Sequence, residues 1–235
     1  MNTKPLGRKA YGSIAHLPGS RLGISDKLLH EGQVKIITEK KRKDDRIIVQ
    51  EKLDGSCVAV AKIDNELIPI SRAGYRIETS RWKQHHYFRT WFYDNVDRFD
   101  KLLKNGERAV GEWLSMAHGI KYKLFHDPFV LFDIMTESTR IPDNEFLERN
   151  NFIFVTPYTF SIDECVSMET IKILARESYH GGEHSEGVVI RVEHEGKVDF
   201  LGKWVNPEHV CGRYFNNEES KLIYNWKPNE TNKDS

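Results

Sequence analysis

Apolar residues along this chain follow two different periods. Residues 46–51 and 56–63 are rich in β-branched and apolar side chains and predict two strands, joined by a tight Leu53-Asp54-Gly55 turn. Over residues 80–105 the period lengthens. Trp91, Phe92, Val96, Phe99, Leu102 and Leu103 recur at helical spacing, and Asn105-Gly106 ends the predicted helix. Residues 108–114 and 129–135 read as buried strands. Asp163 is expected to cap a second helix that runs through Ile171 and Leu174 and stops at Gly181-Gly182. Residues 187–192 and 198–205 are β-rich runs separated by His194-Glu195-Gly196-Lys197, which predicts a hairpin. Helices mixed with several antiparallel hairpins predict an α+β fold rather than a regular βαβ repeat. Neither an internal repeat nor a Pro/Gly/Ser-rich linker divides the chain.

Composition agrees with a folded domain. The 235 residues include 12 Phe, 9 Tyr and 5 Trp, enough apolar volume for a substantial core. No apolar run approaches the ~18 residues of a membrane helix, and the first residues lack the apolar segment of a secretory signal. Cys57, Cys165 and Cys211 form neither a CxxC pair nor a disulfide framework, which points to a reducing, cytoplasmic setting. Lys+Arg and Asp+Glu balance at 35 each, but the balance conceals an asymmetry. Residues 1–52 hold 12 basic and 6 acidic side chains, and the rest hold 23 and 29. Much of the excess lies in Lys40-Lys41-Arg42-Lys43, which reads as a solvated loop or as a phosphate-facing edge.

The segment richest in chemistry is Glu51-Lys52-Leu53-Asp54-Gly55-Ser56. A lysine stands where a strand meets a glycine turn, with carboxylates on both sides. Lysine attacks electrophiles only as the free amine, so a nucleophilic lysine needs burial or neighbouring cations to lower its pKa. The bland alternative is a surface hairpin with a solvated lysine. His85, His86, His118, His180 and His184 show no zinc-finger spacing with the cysteines, so a zinc site is not expected.

Further segments follow Lys52 in order: Ser71-Arg72-Ala73-Gly74, Gly111-Glu112-Trp113-Leu114, Phe129-Val130-Leu131-Phe132-Asp133-Ile134, Glu186-Gly187-Val188-Val189-Ile190-Arg191 and Leu201-Gly202-Lys203-Trp204-Val205. Together with the lysine segment they resemble the ordered motifs of covalent nucleotidyltransferases: ATP-dependent DNA ligases, RNA ligases and mRNA capping enzymes. The resemblance covers roughly residues 46–206. Glu51 directly before the lysine, and the run from Gly111 to Tyr122, are most similar to RNA ligases; His16-Leu17-Pro18-Gly19-Ser20-Arg21 resembles bacterial and phage RNA-ligase-like proteins. The last motif departs from the family, because Leu201 stands where a second lysine is usual.

The resemblance implies a nucleotidyltransferase domain of antiparallel sheets flanked by helices over residues 1–206, with an N-terminal extension up to about residue 45. Residues 207–235 are too few for the OB domain of DNA ligases and capping enzymes. One or two helices are expected between residues 207 and 226, as a short tail rather than an independent domain. The implied activity is ATP-dependent RNA ligation: Lys52 takes AMP from ATP, passes it to a 5′-phosphate end, and a 3′-hydroxyl then seals the strand. Lys203 would contact the α-phosphate, with Arg72 a further cation. Glu112 and Glu186 would contact ribose and a divalent metal, Mg²⁺ with Mn²⁺ as substitute. Phe132 would stack on adenine and Glu51 would accept its amino group. Asp54 and Gly55 complete the nucleotide set, and His118 and Arg191 are candidates for substrate contact. The partner implied is RNA, with DNA or hybrid nicks also considered. A minimal ATP-dependent DNA ligase, and a binding module without sealing activity, are the alternatives.

Overall fold

The computed structural model of the chain describes residues 4–215 and 221–228. The first half runs β1 (Ala15–His16), α1 (Glu31–Thr38), β2 (Asp45–Lys52), β3 (Ser56–Ile63), β4 (Glu66–Ser71), α2 (Lys83–Asp94) and α3 (Val96–Leu102). The second half runs β5 (Glu107–Trp113), β6 (Phe129–Thr136), β7 (Thr139–Arg140), α4 (Asp143–Asn150), β8 (Thr159–Ile162), α5 (Met168–Leu174), β9 (Gly187–His194) and β10 (Lys197–Val205). The strands form two five-stranded sheets, ordered β1-β10-β9-β2-β8 and β4-β3-β5-β6-β7. All pairings are antiparallel except β1 with β10. The fold is therefore α+β, with two sheets flanked by helices.

Alternation along the strands decides which face is core. Val188, Ile190 and Val192 of β9 join Ile47, Val49 and Trp204 in a cluster with Ile37 of α1 and Ile171 of α5. The intervening Val189 and Arg191 point to the other face, toward the second sheet. On β3, Val58 and Val60 pack with Phe88, Trp91, Phe92 and Phe99 of α2 and α3, while Ala59 and Ala61 face the other way. Each sheet thus keeps one face under its own helices and turns the other toward a shared cleft. Residues 53–55 carry the chain from the end of β2 in one sheet to the start of β3 in the other.

The expected helix over 80–105 is two helices. Asn95 leaves helical geometry (φ −127°, ψ 17°) and its side-chain amide donates to the Trp91 carbonyl at 2.8 Å, so α2 stops there and α3 starts again. Ser80 does not begin the helix; its Oγ lies 2.7 Å from His85 Nδ1. The second expected helix starts later and ends sooner. Ser167 caps α5 by accepting from the Thr170 N–H, whereas Asp163 has φ 71° and donates its own N–H to the Ile47 carbonyl. After β10 the described residues contain no α-helix, although residues 216–220 and 229–235 of that stretch lie outside them. The tail is used as an extended strap: Asn225 and Trp226 donate backbone N–H groups to the Ser115 carbonyl, and Trp226 packs edge-on against Trp113 at 5.4 Å. Among the described residues, no helix is long and apolar enough to cross a membrane.

Candidate active site

The cleft between the sheets holds a cavity of about 250 Å³. Of the eleven residues singled out from the sequence, ten line it: Glu51, Lys52, Asp54, Gly55, Arg72, Glu112, Phe132, Glu186, Arg191 and Lys203. His118 does not. It stands behind Ser56, with Nε2 3.4 Å from Ser56 Oγ and its ring against Phe215, and burial pushes its pKa down to about 4.

Lys52 is the last residue of β2, paired across the ladder with Gly187 of β9. Strand pairing fixes its backbone, and two glycines permit the close approaches around it. A Cβ on Gly187 would lie 1.9 Å from the Trp204 carbonyl oxygen, and one on Gly55 would lie 2.6 Å from that of Trp113. Lys52 Nζ donates to Glu186 Oε2 at 2.5 Å. Burial opposes the Lys52 charge, but the carboxylates of Glu186 and Glu112 outweigh it and hold the ammonium above its ordinary pKa. This differs from the lowered pKa expected of a nucleophile: without a ligand, the cleft keeps its lysine protonated.

Across the cleft, Glu112 on β5 accepts the Gly55 N–H at 3.0 Å through Oε1. Burial pushes its carboxyl up to about 8, with Glu186 and Asp54 adding to the rise and Lys52 opposing it. Lys203 on β10 has its pKa lowered by burial and by Lys52. Glu51 is buried; its Oε2 accepts the Tyr179 N–H at 2.9 Å, while Oε1 has no hydrogen-bond partner. Burial raises its pKa. An acceptor left buried and unpaired costs about 1–3 kcal/mol, which a bound donor recovers. Asp54 accepts the Gly119 N–H at 2.6 Å, so its carboxylate is oriented by the backbone. Arg72 is exposed at the mouth, donating to the Gly12 carbonyl at 3.2 Å.

Phe132 and Asp133 both face the cavity although they are adjacent on β6. The β5–β6 register jumps there, with Val110 opposite Asp133 and Gly111 opposite Leu131, so Phe132 is a bulge residue that re-aims the strand. Asp133 accepts from Tyr11 at 2.6 Å and Arg140 at 3.1 Å, and makes a short ion pair with Arg191. Arg191 also donates to the Phe132 and Ile141 carbonyls at 3.3 Å each. Its guanidinium is thus engaged in holding the Phe132 bulge. Arg191→Ala breaks a buried pair but leaves Asp133 with Tyr11 and Arg140. It is expected to lower the unfolding free energy by about 3 kcal/mol, read in a urea titration.

Three contributors escaped the sequence reading. Tyr11 comes from the N-terminal segment and packs edge-on to Phe132 at 5.2 Å. Tyr122 accepts the Asp54 N–H at 2.9 Å. His209 is 2% exposed, its ring nitrogens have no hydrogen-bond partner, and Nε2 lies 3.6 Å from Asp54 Oδ2. Asp54, Glu186 and His209 bring potential ligand atoms within 4.8 Å of one another. Nothing in local spacing marks these three. The basic run, by contrast, lies away from the site. Arg42 is engaged with Asp45 at 2.8 Å and Asp199 at 2.6 Å, at the end of β2 opposite Lys52, about 23 Å along the strand. It is a loop at the far end of β2.

Two mainly antiparallel sheets closing on a lysine, with carboxylates from both and an aromatic wall, define the fold of a nucleotidyltransferase domain. The RNA ligase family signature matches residues 45–205, and the chain belongs to that family. Solved structures of a Naegleria gruberi RNA ligase share the fold. A variant with ATP and Mn superimposes with a TM-score of 0.54 and 18% identity, over 82% of this chain and 59% of that one. A variant with AMP and Mn gives 0.52 and 21%, over 82% and 59%, and the ligase with PPi gives 0.52 and 22%, over 84% and 60%. The chain thus spans about 60% of the length of the structures it matches. Among curated proteins, none matches in sequence.

Proposed function

We propose that this chain is an ATP-dependent RNA ligase whose nucleophile is Lys52. The observation that carries the reading is the meeting, in one cleft, of a strand-end lysine with Glu112, Glu186 and Lys203, contributed by both sheets. Nζ attacks the α-phosphorus of ATP in line, the bond to the pyrophosphate oxygen breaks, the amine proton departs, and a lysyl-AMP phosphoramidate forms. A 5′-phosphate oxygen on RNA then attacks the same phosphorus and frees the lysine, leaving AMP joined to the RNA end. A 3′-hydroxyl displaces AMP and closes the phosphodiester.

Each side chain has a task in this scheme. Lys203, its pKa lowered by burial and by Lys52, offers a cation to the α-phosphate, and Arg72 guards the mouth through which the polynucleotide end enters. Phe132 stacks on the base. Glu51 Oε1, unpaired in the cleft, accepts the adenine amino group and so selects ATP over GTP. The donor set suits a hard divalent cation: Glu112, Glu186 and Asp54 are carboxylates within one cleft, and oxygen ligands are those such a cation prefers. Mg²⁺, or Mn²⁺ in its place, would be held by these oxygens and, by offsetting their charge, would favour the neutral amine of Lys52. Three free cysteines fit a reducing cytoplasm.

Incubation with α-labelled ATP or GTP and Mg²⁺, followed by denaturation, tests the reading. Label is expected from ATP alone. A protein that takes no label from ATP is not this enzyme. Sealing of 5′-phosphorylated nicks in RNA, hybrid and all-DNA duplexes follows; activity confined to the all-DNA nick would make the chain a DNA ligase. The pH dependence carries its own signature. Glu186 raises the Lys52 pKa, so Glu186→Gln should move the acidic limb of the labelling rate to lower pH even as the rate falls. An unmoved limb would detach Glu186 from the lysine.

A further inference from the structure

A second groove, of about 470 Å³, opens from the mouth of the cleft and shares Cys57 and Arg72 with it. Its walls come from the end of β4, the turn after it and the start of α2. Its lining residues include three arginines, Arg72, Arg76 and Arg81, and no acidic residue. Glu66 and Glu78 approach Arg76 only at 3.8 and 3.6 Å. Two aromatic rings stand in this basic wall: Tyr75 is 36% exposed and Trp82 is 51% exposed.

Trp82 breaks a local rule. It occupies the N-cap of α2, where Ser, Thr, Asp or Asn satisfies the open N–H groups, and it makes no side-chain cap. Half its surface is in water, a large apolar area to leave exposed. The Arg81 guanidinium lies over its ring at 4.6 Å, pairing a cation with an exposed stacking face. A missing cap combined with a large exposed ring is the kind of local departure expected at functional positions. Arginines alternating with exposed aromatic rings are the chemistry that binds single-stranded nucleic acid, the phosphates on the cations and unpaired bases on the rings.

We propose that this groove holds a single-stranded segment of the RNA substrate, with one unpaired base stacked on Trp82 and backbone phosphates on Arg81 and Arg76, so that the strand's end reaches Lys52 past Arg72. The proposal rests on the ligase reading and names where that enzyme takes its polynucleotide. Neither Arg81 nor Trp82 lines the nucleotide cavity.

The test measures binding of a 5′-phosphorylated, single-stranded RNA oligomer by quenching of tryptophan fluorescence in the intact protein. Trp82→Ala should remove the Trp82-dependent quench and weaken binding about tenfold, the scale of one lost base–aromatic stack. Trp82→Phe should recover most of that affinity while remaining without the Trp82 signal. Arg81→Ala should reduce the slope of log K against log salt by about 0.7, one phosphate contact on a single strand. Both residues are exposed, and melting curves of the alanine variants should overlay the wild type. Wild-type affinity in Trp82→Ala, a quench that survives it, or an equal Trp82 quench by blunt duplex RNA would each overturn the proposal. Labelling by ATP is read in parallel. If the wild type takes no label, the ligase reading fails, while loss of the quench in Trp82→Ala still upholds the groove.

Discussion

Lys52→Met should abolish ATP-dependent labelling, by about a thousandfold or more, because no other amine stands in the nucleophile's place. Methionine matches the stem out to Cε, with sulfur in place of the Cδ methylene, and lacks Nζ, so the cleft stays filled. ATP should still bind, because Phe132, Glu51 and Lys203 are untouched; equilibrium dialysis with labelled ATP separates lost binding from lost chemistry. Loss of Nζ also leaves Glu186 without its 2.5 Å partner, so a lower melting temperature is expected alongside the lost activity. Persistent label, or label mapped to another residue, would remove Lys52 from the mechanism.

Glu112→Gln should act in opposite directions on stability and on activity. Its carboxyl titrates near 8 in the fold against an ordinary value near 4.5, so the folded state binds its proton more tightly than the unfolded one. That contribution is fully present below the unfolded pKa and disappears as pH rises through 8. Above it, the ligand-free protein carries a buried charge. Glutamine removes this charge and retains a carbonyl to accept the Gly55 N–H. The variant should therefore be more stable than wild type at pH 8–9, by about 3–5 kcal/mol, with the difference shrinking toward pH 4.5. Labelling should fall about a hundredfold over the same range, since a carboxylate proposed to hold ribose and metal is gone. Melting curves at stepped pH, with and without Mg²⁺, decide the matter: Mg²⁺ should stabilise the wild type more than the variant. Parallel melting-temperature profiles in the two proteins would refute the assignment.

The part of this site that the sequence displays is the part carried on strands. Lys52, Glu112, Glu186 and Lys203 each lie in or beside a β-run whose alternation is visible, and their order along the chain marks them as one set. Glu51 and Phe132 travel with those strands. Local pattern leaves out the residues that reach the cleft from irregular chain. Tyr11 precedes β1, Tyr122 lies in a loop between β5 and β6, and His209 sits in turns after β10, so none has a period to betray it. The bulge that turns Phe132 inward is likewise a property of the β5–β6 register. Helix boundaries were hidden for a related reason. Asn95 interrupts an unbroken apolar pattern by capping Trp91, and Asp163 is recruited by β2 instead of capping a helix. The apolar positions themselves were legible: Trp91, Phe92, Phe99, Leu102 and Leu103 all lie in one core.

Because the two sheets have separate cores and meet across a cleft lined with charge, the nucleotide proposed to bind there would act as a thermodynamic staple. Each half has its own hydrophobic cluster, and the two are joined by the turn at 53–55, the buried Arg191–Asp133 pair and the packing of Leu201 against the cluster of Ala59 and Val110. A ligand gripping Lys203 and Glu186 on one side and Glu112 and Phe132 on the other makes melting of either half cost the bound state as well. Saturating ATP analogue should then raise the transition midpoint of the whole fold, and the rise should grow with analogue concentration.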